Sequence, residues 1–244
     1  MNRKLLLLSN SGTPSNFLDG VSKDIAEYNT FFQSDEGGAW MPIEIMREES
    51  LTVEKFCNVL KSLTDIDYLM IVFCGHGYTN THGVRYLELS ENEDISIFDI
   101  RALVRCRLTL ITDCCASVFV PRLQMITESL RTFSHGGKLL RRRVQCREAY
   151  NKAIMSLPEN NYFYAHACSL GESAGEDEDG GYFSQELLKW SNHFVKEFAD
   201  KSIFVGVVIP FSSIFHLASQ DTLVKTGYKQ RPARSTGDIP FVVY

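Results

Sequence analysis

Six short runs rich in leucine, β-branched and aromatic residues punctuate the chain: Lys4–Ser9, Pro42–Met46, Tyr68–Cys74, Leu108–Thr112, Tyr162–Ala167 and Ile239–Val243. Several are apolar without alternation, the pattern of strands covered on both faces. Between them, residues 18–32 and 51–63 carry apolar side chains at helical spacing, and further helices are expected over 96–104 and Phe183–Phe198. Strands alternating with helices predict an α/β domain built on a mostly parallel central sheet. In such sheets ligands and catalytic groups gather at the carboxyl ends of the strands.

Two segments break the alternation. Residues 134–148, SHGGKLLRRRVQCRE, combine two glycines with a basic cluster and show no apolar period beyond Leu139-Leu140. They mark an exposed connection over 134–150 dividing one domain into a larger part (1–133) and a smaller one (151–244). Residues 171–181, GESAGEDEDGG, read as an acidic loop.

Composition changes this picture little. The 244 residues suffice for a full core, and 44% hydrophobic with 23% charged residues is ordinary for a globular protein. A net charge of −5 gives no general attraction to nucleic acid or anionic membrane, so neither is expected as a partner. No apolar run approaches the ~18–20 residues that span a bilayer. The opening MNRKLLLLSNSG is too short in its apolar part for a signal peptide and reads as a first strand of a cytoplasmic protein. The seven cysteines are odd in number and irregular in spacing, which favours free thiols in a reducing compartment.

The candidate chemistry lies where two strand-like runs stop. One breaks off into Gly75-His76-Gly77, and LTLITDCCAS ends in Cys114-Cys115. If the two strands are neighbours, an imidazole and a thiol meet at one edge, and imidazole is the usual base for activating a thiol. The flanking glycines permit a tight turn, leaving the Gly77 amide and that of the cysteine free to face an oxyanion. His82, beyond the strand end, is a weaker candidate base. The alternate pairs Cys74/His76 and His166/Cys168 are a poor zinc pattern, and no metal is expected. Glu176–Asp179 lacks the ordered spacing of a calcium loop, so calcium dependence is only weakly supported and no cofactor is expected.

FCGHG followed by TDCCAS resembles the caspase-like cysteine peptidases, closer to the metacaspase and prokaryotic branch than to animal caspases. AHACSLGESAGE (165–176), GGYFSQELL (180–188) and YKQRPARSTGDIPFVVY (228–244) extend the resemblance along most of the chain. The family's motif usually continues Cys-His-Ser-Gly, whereas Ala116-Ser117-Val118 follow here. The resemblance implies a three-layer sandwich with a central six-stranded sheet flanked by helices. Cys115 would be the nucleophile, with Cys114 packed inward, and His76 the general acid/base. The amides of Gly77 and Cys115 would form the oxyanion hole.

It also implies that Asp113 holds a substrate Arg, or less well Lys, with Cys168 and Glu172 lining the cleft. The basic segment lies where relatives are cut. Lys138, Arg141, Arg142, Arg143 and Arg147 are therefore expected processing residues of a precursor, cut by itself or by an upstream protease. Protein substrates are the expected partners, with the chain a monomer or a homodimer. By analogy the pathway is prokaryotic defence or regulated cell death. A catalytically silent interaction module is the alternative, and ligase activity on the same machinery a third possibility.

Overall fold

The computed structural model describes residues 1–116, 140–199 and 206–244. Strand β1 (Arg3–Asn10) leads to helix α1 (Val21–Gln33), a 3-10 turn at Pro42–Glu44, β2 (Ile45–Glu49) and α2 (Val53–Ser62). Next come β3 (Tyr68–Gly75), the meander β4 (Gly77–Thr79), β5 (Arg85–Ser90) and β6 (Glu93–Ser96), then α3 (Ile97–Leu103) and β7 (Arg107–Asp113). The second part runs through α4 (Leu140–Met155), β8 (Tyr162–His166), the short β9 (Glu176–Asp177) and β10 (Gly180–Gly181), and α5 (Tyr182–Ala199). It ends with β11 (Val208–Pro210), α6 (Phe211–Lys225), β12 (Ala233–Arg234) and β13 (Pro240–Val243).

The central sheet has the order β12-β8-β7-β3-β1-β2, parallel throughout except for β12. Strands β3 and β7 are buried along their whole length, β3 as an unbroken apolar run and β7 with Thr109 and Thr112 buried among its apolar residues. One face is covered by a core joining Leu5, Leu7, Tyr28, Phe32, Tyr150, Phe163, Phe183 and Phe211. The other carries Leu6, Leu8, Phe56, Ile71, Phe73, Ile100 and Leu110. The result is an α/β sheet between two layers. No described helix is long and apolar enough to cross a membrane.

Three expectations need correction. Pro42 lacks an N–H and begins a turn closed by the Met41 amide on Glu44 Oε2 (2.7 Å), so the strand starts three residues late. Its charged Arg47, Glu48 and Glu49 suit the sheet edge it occupies. The terminal run does not join the central sheet: β13 pairs antiparallel with β11 and is buried, while the short β12 is the sixth member.

The connection expected over 134–150 is helical from Leu140 onward. Cys146, Tyr150 and Ile154, four residues apart, bury one stripe of α4. Arg142 pairs with Glu36 (2.8 Å), Arg143 donates to the Gln33 and Trp40 carbonyls (2.6 and 3.2 Å), and Arg147 Nη1 reaches Glu44 Oε2 (2.8 Å). These arginines bind the helix to the α1–β2 connection instead of forming an exposed extended loop. Lys138 and the Arg141 side chain lie outside the described residues.

Candidate active site

Parallel register decides which groups meet. Cys74 pairs with Asp113 across β3 and β7. Two residues on, His76 and Cys115 leave the same sheet edge from strands ~4.8 Å apart. Each glycine beside His76 has its own reason. Gly75 has φ +148°, and a Cβ there would collide with the Asn10 carbonyl. A Cβ at Gly77 would stand 2.8 Å from Cys114 Sγ. In the β4–β5 ladder the Glu88 amide donates to the His76 carbonyl (3.1 Å) and the Asn80 amide to the Val84 carbonyl (2.9 Å). Alternation then leaves the Gly77 N–H turned away from β5, consistent with an oxyanion donor.

A loop that sequence reasoning passed over holds the imidazole. His76 Nε2–H donates to the Asn16 carbonyl at 2.8 Å, which leaves the lone pair on Nδ1. Asn16 is fixed by its own side chain, whose Oδ1 accepts from the Thr13 amide (2.7 Å) and hydroxyl (2.8 Å). Gly12, at φ +87°, passes so close that a Cβ would lie 2.5 Å from His76 Nε2. Asn10 ties the pieces together, accepting from the Gly12 amide (3.0 Å) and donating to the Glu88 carbonyl (2.8 Å). The short polar run SNSGTPSN carried the signal: Asn, Ser, Gly and Pro in a row mark a built turn. His82 is exposed in the turn between β4 and β5, where its amide donates to Asn80 Oδ1, and is no part of this arrangement.

Cys115 is partly buried and its Sγ donates to the Ala174 carbonyl at 3.5 Å. Burial pushes its thiol up, and Asp113 and Glu176 add to this against the Ala174 and Ser173 hydrogen bonds. His76 and Cys115 are thus each held by a loop carbonyl. The Ala116 amide donates to the Glu172 carbonyl and the Gly171 amide to the Ala116 carbonyl, both at 2.9 Å, so the loop after β8 clamps the chain next to Cys115.

Two expected cleft residues serve that clamp instead. Cys168 is fully buried, its Sγ 3.4 Å from the carbonyls of both Cys114 and Glu172, and burial drives its thiol up to about 12. The Glu172 carboxylate accepts from the Arg231 amide (2.7 Å) and faces the Arg231 guanidinium (3.3 Å). Cys114 packs in the core with its thiol raised by burial to about 11.

Beside Cys115 lies a buried acidic group. Asp113 Oδ2 accepts from the Ser184 amide (2.9 Å) and hydroxyl (2.7 Å), and Asp24 Oδ2 from the Gly181 amide (2.8 Å). Both carboxylates therefore cap the first turn of α5, where the helix dipole favours negative charge. Gly180 and Gly181 let them approach, since a Cβ at either would overlap a carboxylate. Burial nevertheless pushes Asp24 and Asp113 up, and Glu176 rises to about 7 through burial and then through Asp113 and Asp19. Among the described residues no Lys or Arg offsets these three. The outer acids of the same loop are already engaged, Asp179 with Lys23 and Asp177 with Lys225 (3.6 Å). No three His, Cys, Asp or Glu side chains among the described residues are grouped to hold a metal ion.

Neither a family model nor a curated protein matches this chain.

Proposed function

We propose that the protein is a caspase-like cysteine endopeptidase that cleaves after Arg, and less well after Lys. The observation that supports this reading is the register that ends β3 and β7 together, two residues before His76 and Cys115, with the carboxylates of Asp113 and Glu176 close to Cys115. Cys115 Sγ attacks the scissile carbonyl while its proton passes to His76 Nδ1. The oxyanion takes hydrogen bonds from the amides of Gly77 and Cys115, His76 returns the proton to the leaving amine, and water releases the acyl-enzyme.

Two buried carboxyl groups and a half-buried third that resist ionising together favour a ligand that brings positive charge. A guanidinium against the second carboxylate oxygens of Asp113 and Asp24 would relieve their repulsion and reject an acidic side chain. Activation by cutting at Arg142, Arg143 or Arg147 is not part of this reading, because each is bound into α4.

Paired fluorogenic peptides ending in Arg or Asp, tested on wild type and Cys115→Ala, decide the matter. Arg-selective release of the fluorophore, lost in the variant, is expected. Selectivity for Asp would overturn the pocket, and no thiol-dependent hydrolysis would leave the silent interaction module as the better reading.

A further inference from the structure

His76 has a second neighbour with no structural duty. The β4–β5 ladder pairs Gly77 with Leu87, Tyr78 with Tyr86 and Thr79 with Arg85, and it continues to the Glu88 amide on the His76 carbonyl. Residues directly opposed in an antiparallel pair project to the same face with Cβ atoms ~5 Å apart. The Glu88 carboxylate is therefore the cross-strand companion of the imidazole. Along that face Tyr78 and Tyr86 follow, stacked with centroids 5.2 Å apart. Asp94, opposite Glu88 on β6, is already engaged by the Tyr78 hydroxyl at 2.6 Å.

Glu88 is half-buried, and its carboxylate makes no hydrogen bond among the described residues, only its backbone being used. Burial raises its pKa, while the His76 charge lowers it and Asp94 raises it. Around His76 stand Glu88 and its neighbours Asp94, Tyr78 and Tyr86 on the meander, and the Asn16 carbonyl from the loop before α1, while β7 ends nearby in Asp113.

We propose that Glu88 is a positioning residue that stabilises the His76 imidazolium formed when Cys115 gives up its proton. The inference rests on the reading of His76 and Cys115 as a catalytic pair. The proton leaves Sγ for Nδ1, the Nε2–H stays on the Asn16 carbonyl, and the Glu88 carboxylate supplies the opposing charge without touching substrate.

The test is the rate of Cys115 alkylation by iodoacetamide, followed by mass spectrometry from pH 5.5 to 10 in wild type, Glu88→Gln, Glu88→Asp and His76→Ala. Thiolate sulfur displaces iodide, so the rate reads thiol deprotonation without needing a peptide substrate. Glu88→Gln should slow alkylation roughly three- to tenfold at pH 6–7, the gap narrowing towards pH 10, where the imidazole is no longer needed. Glu88→Asp should recover at least half of the loss. Unchanged rates in Glu88→Gln, or a slowing equal at every pH, would overturn the role of Glu88. If His76→Ala itself alkylates at the wild-type rate, the catalytic pair fails instead, which separates the two readings.

Discussion

The electrostatics of the acidic group can be weighed at Glu176. Its carboxyl is raised from 4.5 to about 7, first by burial, then by Asp113 and Asp19, with the amides of Gly20 and Asp19 pulling it back. A folded-state value above the unfolded one means that the native chain holds this proton more tightly. The associated stability is full below about pH 4.5 and is lost as pH rises through about 7. At ~1.4 kcal/mol per unit the nominal loss is about 3 kcal/mol. Glu176 keeps part of its surface in water, and screening reduces this to on the order of 1–2 kcal/mol. Glu176→Gln keeps the shape and an acceptor oxygen for the two amides but removes the charge. In urea unfolding the two proteins should be equally stable at pH 4.5, with the variant ahead by about 1–2 kcal/mol at pH 8. A wild-type-to-variant difference that stays constant between these pH values would refute the reasoning. The same charge predicts that benzamidine, as an arginine-like cation, binds wild type more tightly at pH 8 than at pH 5.5, and that Glu176→Gln flattens this dependence.

Three further outcomes follow from other parts of the molecule. Gly12→Ala places a methyl group against His76 Nε2 at a positive φ, and should cut peptidase activity at least ~10-fold for a stability cost of only about 1–2 kcal/mol. Burial pushes the Glu44 carboxyl up, but Arg147, the Met41 amide and Arg3 outweigh it and hold the group at about 2. Glu44→Gln should therefore cost on the order of 1–2 kcal/mol at pH 7 and nothing near pH 2, as read by chemical denaturation. Trypsin should leave the bonds after Arg142, Arg143 and Arg147 intact in native protein and cut them once urea releases α4, visible as a step in fragment yield on gels.

What the sequence made legible was decided by local periodicity. The runs at Tyr68–Cys74 and Leu108–Thr112 read as buried parallel strands because no charged residue interrupts them; His76 and Cys115 then fall just past one edge. Helix α4 was hidden because Arg143 and Arg147 sit in the helix that buries Cys146, Tyr150 and Ile154, and arginines satisfied by carbonyls read in sequence as solvated charge. The terminal strand has the composition of a sheet member, yet β11 supplies its partner, and pairing of distant segments leaves no local trace. Glu172 looked like a pocket acid because its bond to Arg231 spans 59 residues. Asn16 contributes to the site through a backbone carbonyl, which any residue could supply, so its identity betrays only the turn.

The seam between β7 and α4 has a consequence for assembly. Strand β8 lies hydrogen-bonded alongside β7 from Tyr162 to His166, and α4 lays Tyr150 into a core shared with Leu5, Tyr28 and Trp40. The two stretches of chain are thus halves of one folding unit, each missing one wall of its own interior. Expressed as separate polypeptides, 1–116 and 140–244 would be poorly folded alone and would complement each other when mixed. His76 and Cys115 would come together on the first fragment, and the Ala174 and Ser184 contacts would arrive only with the second.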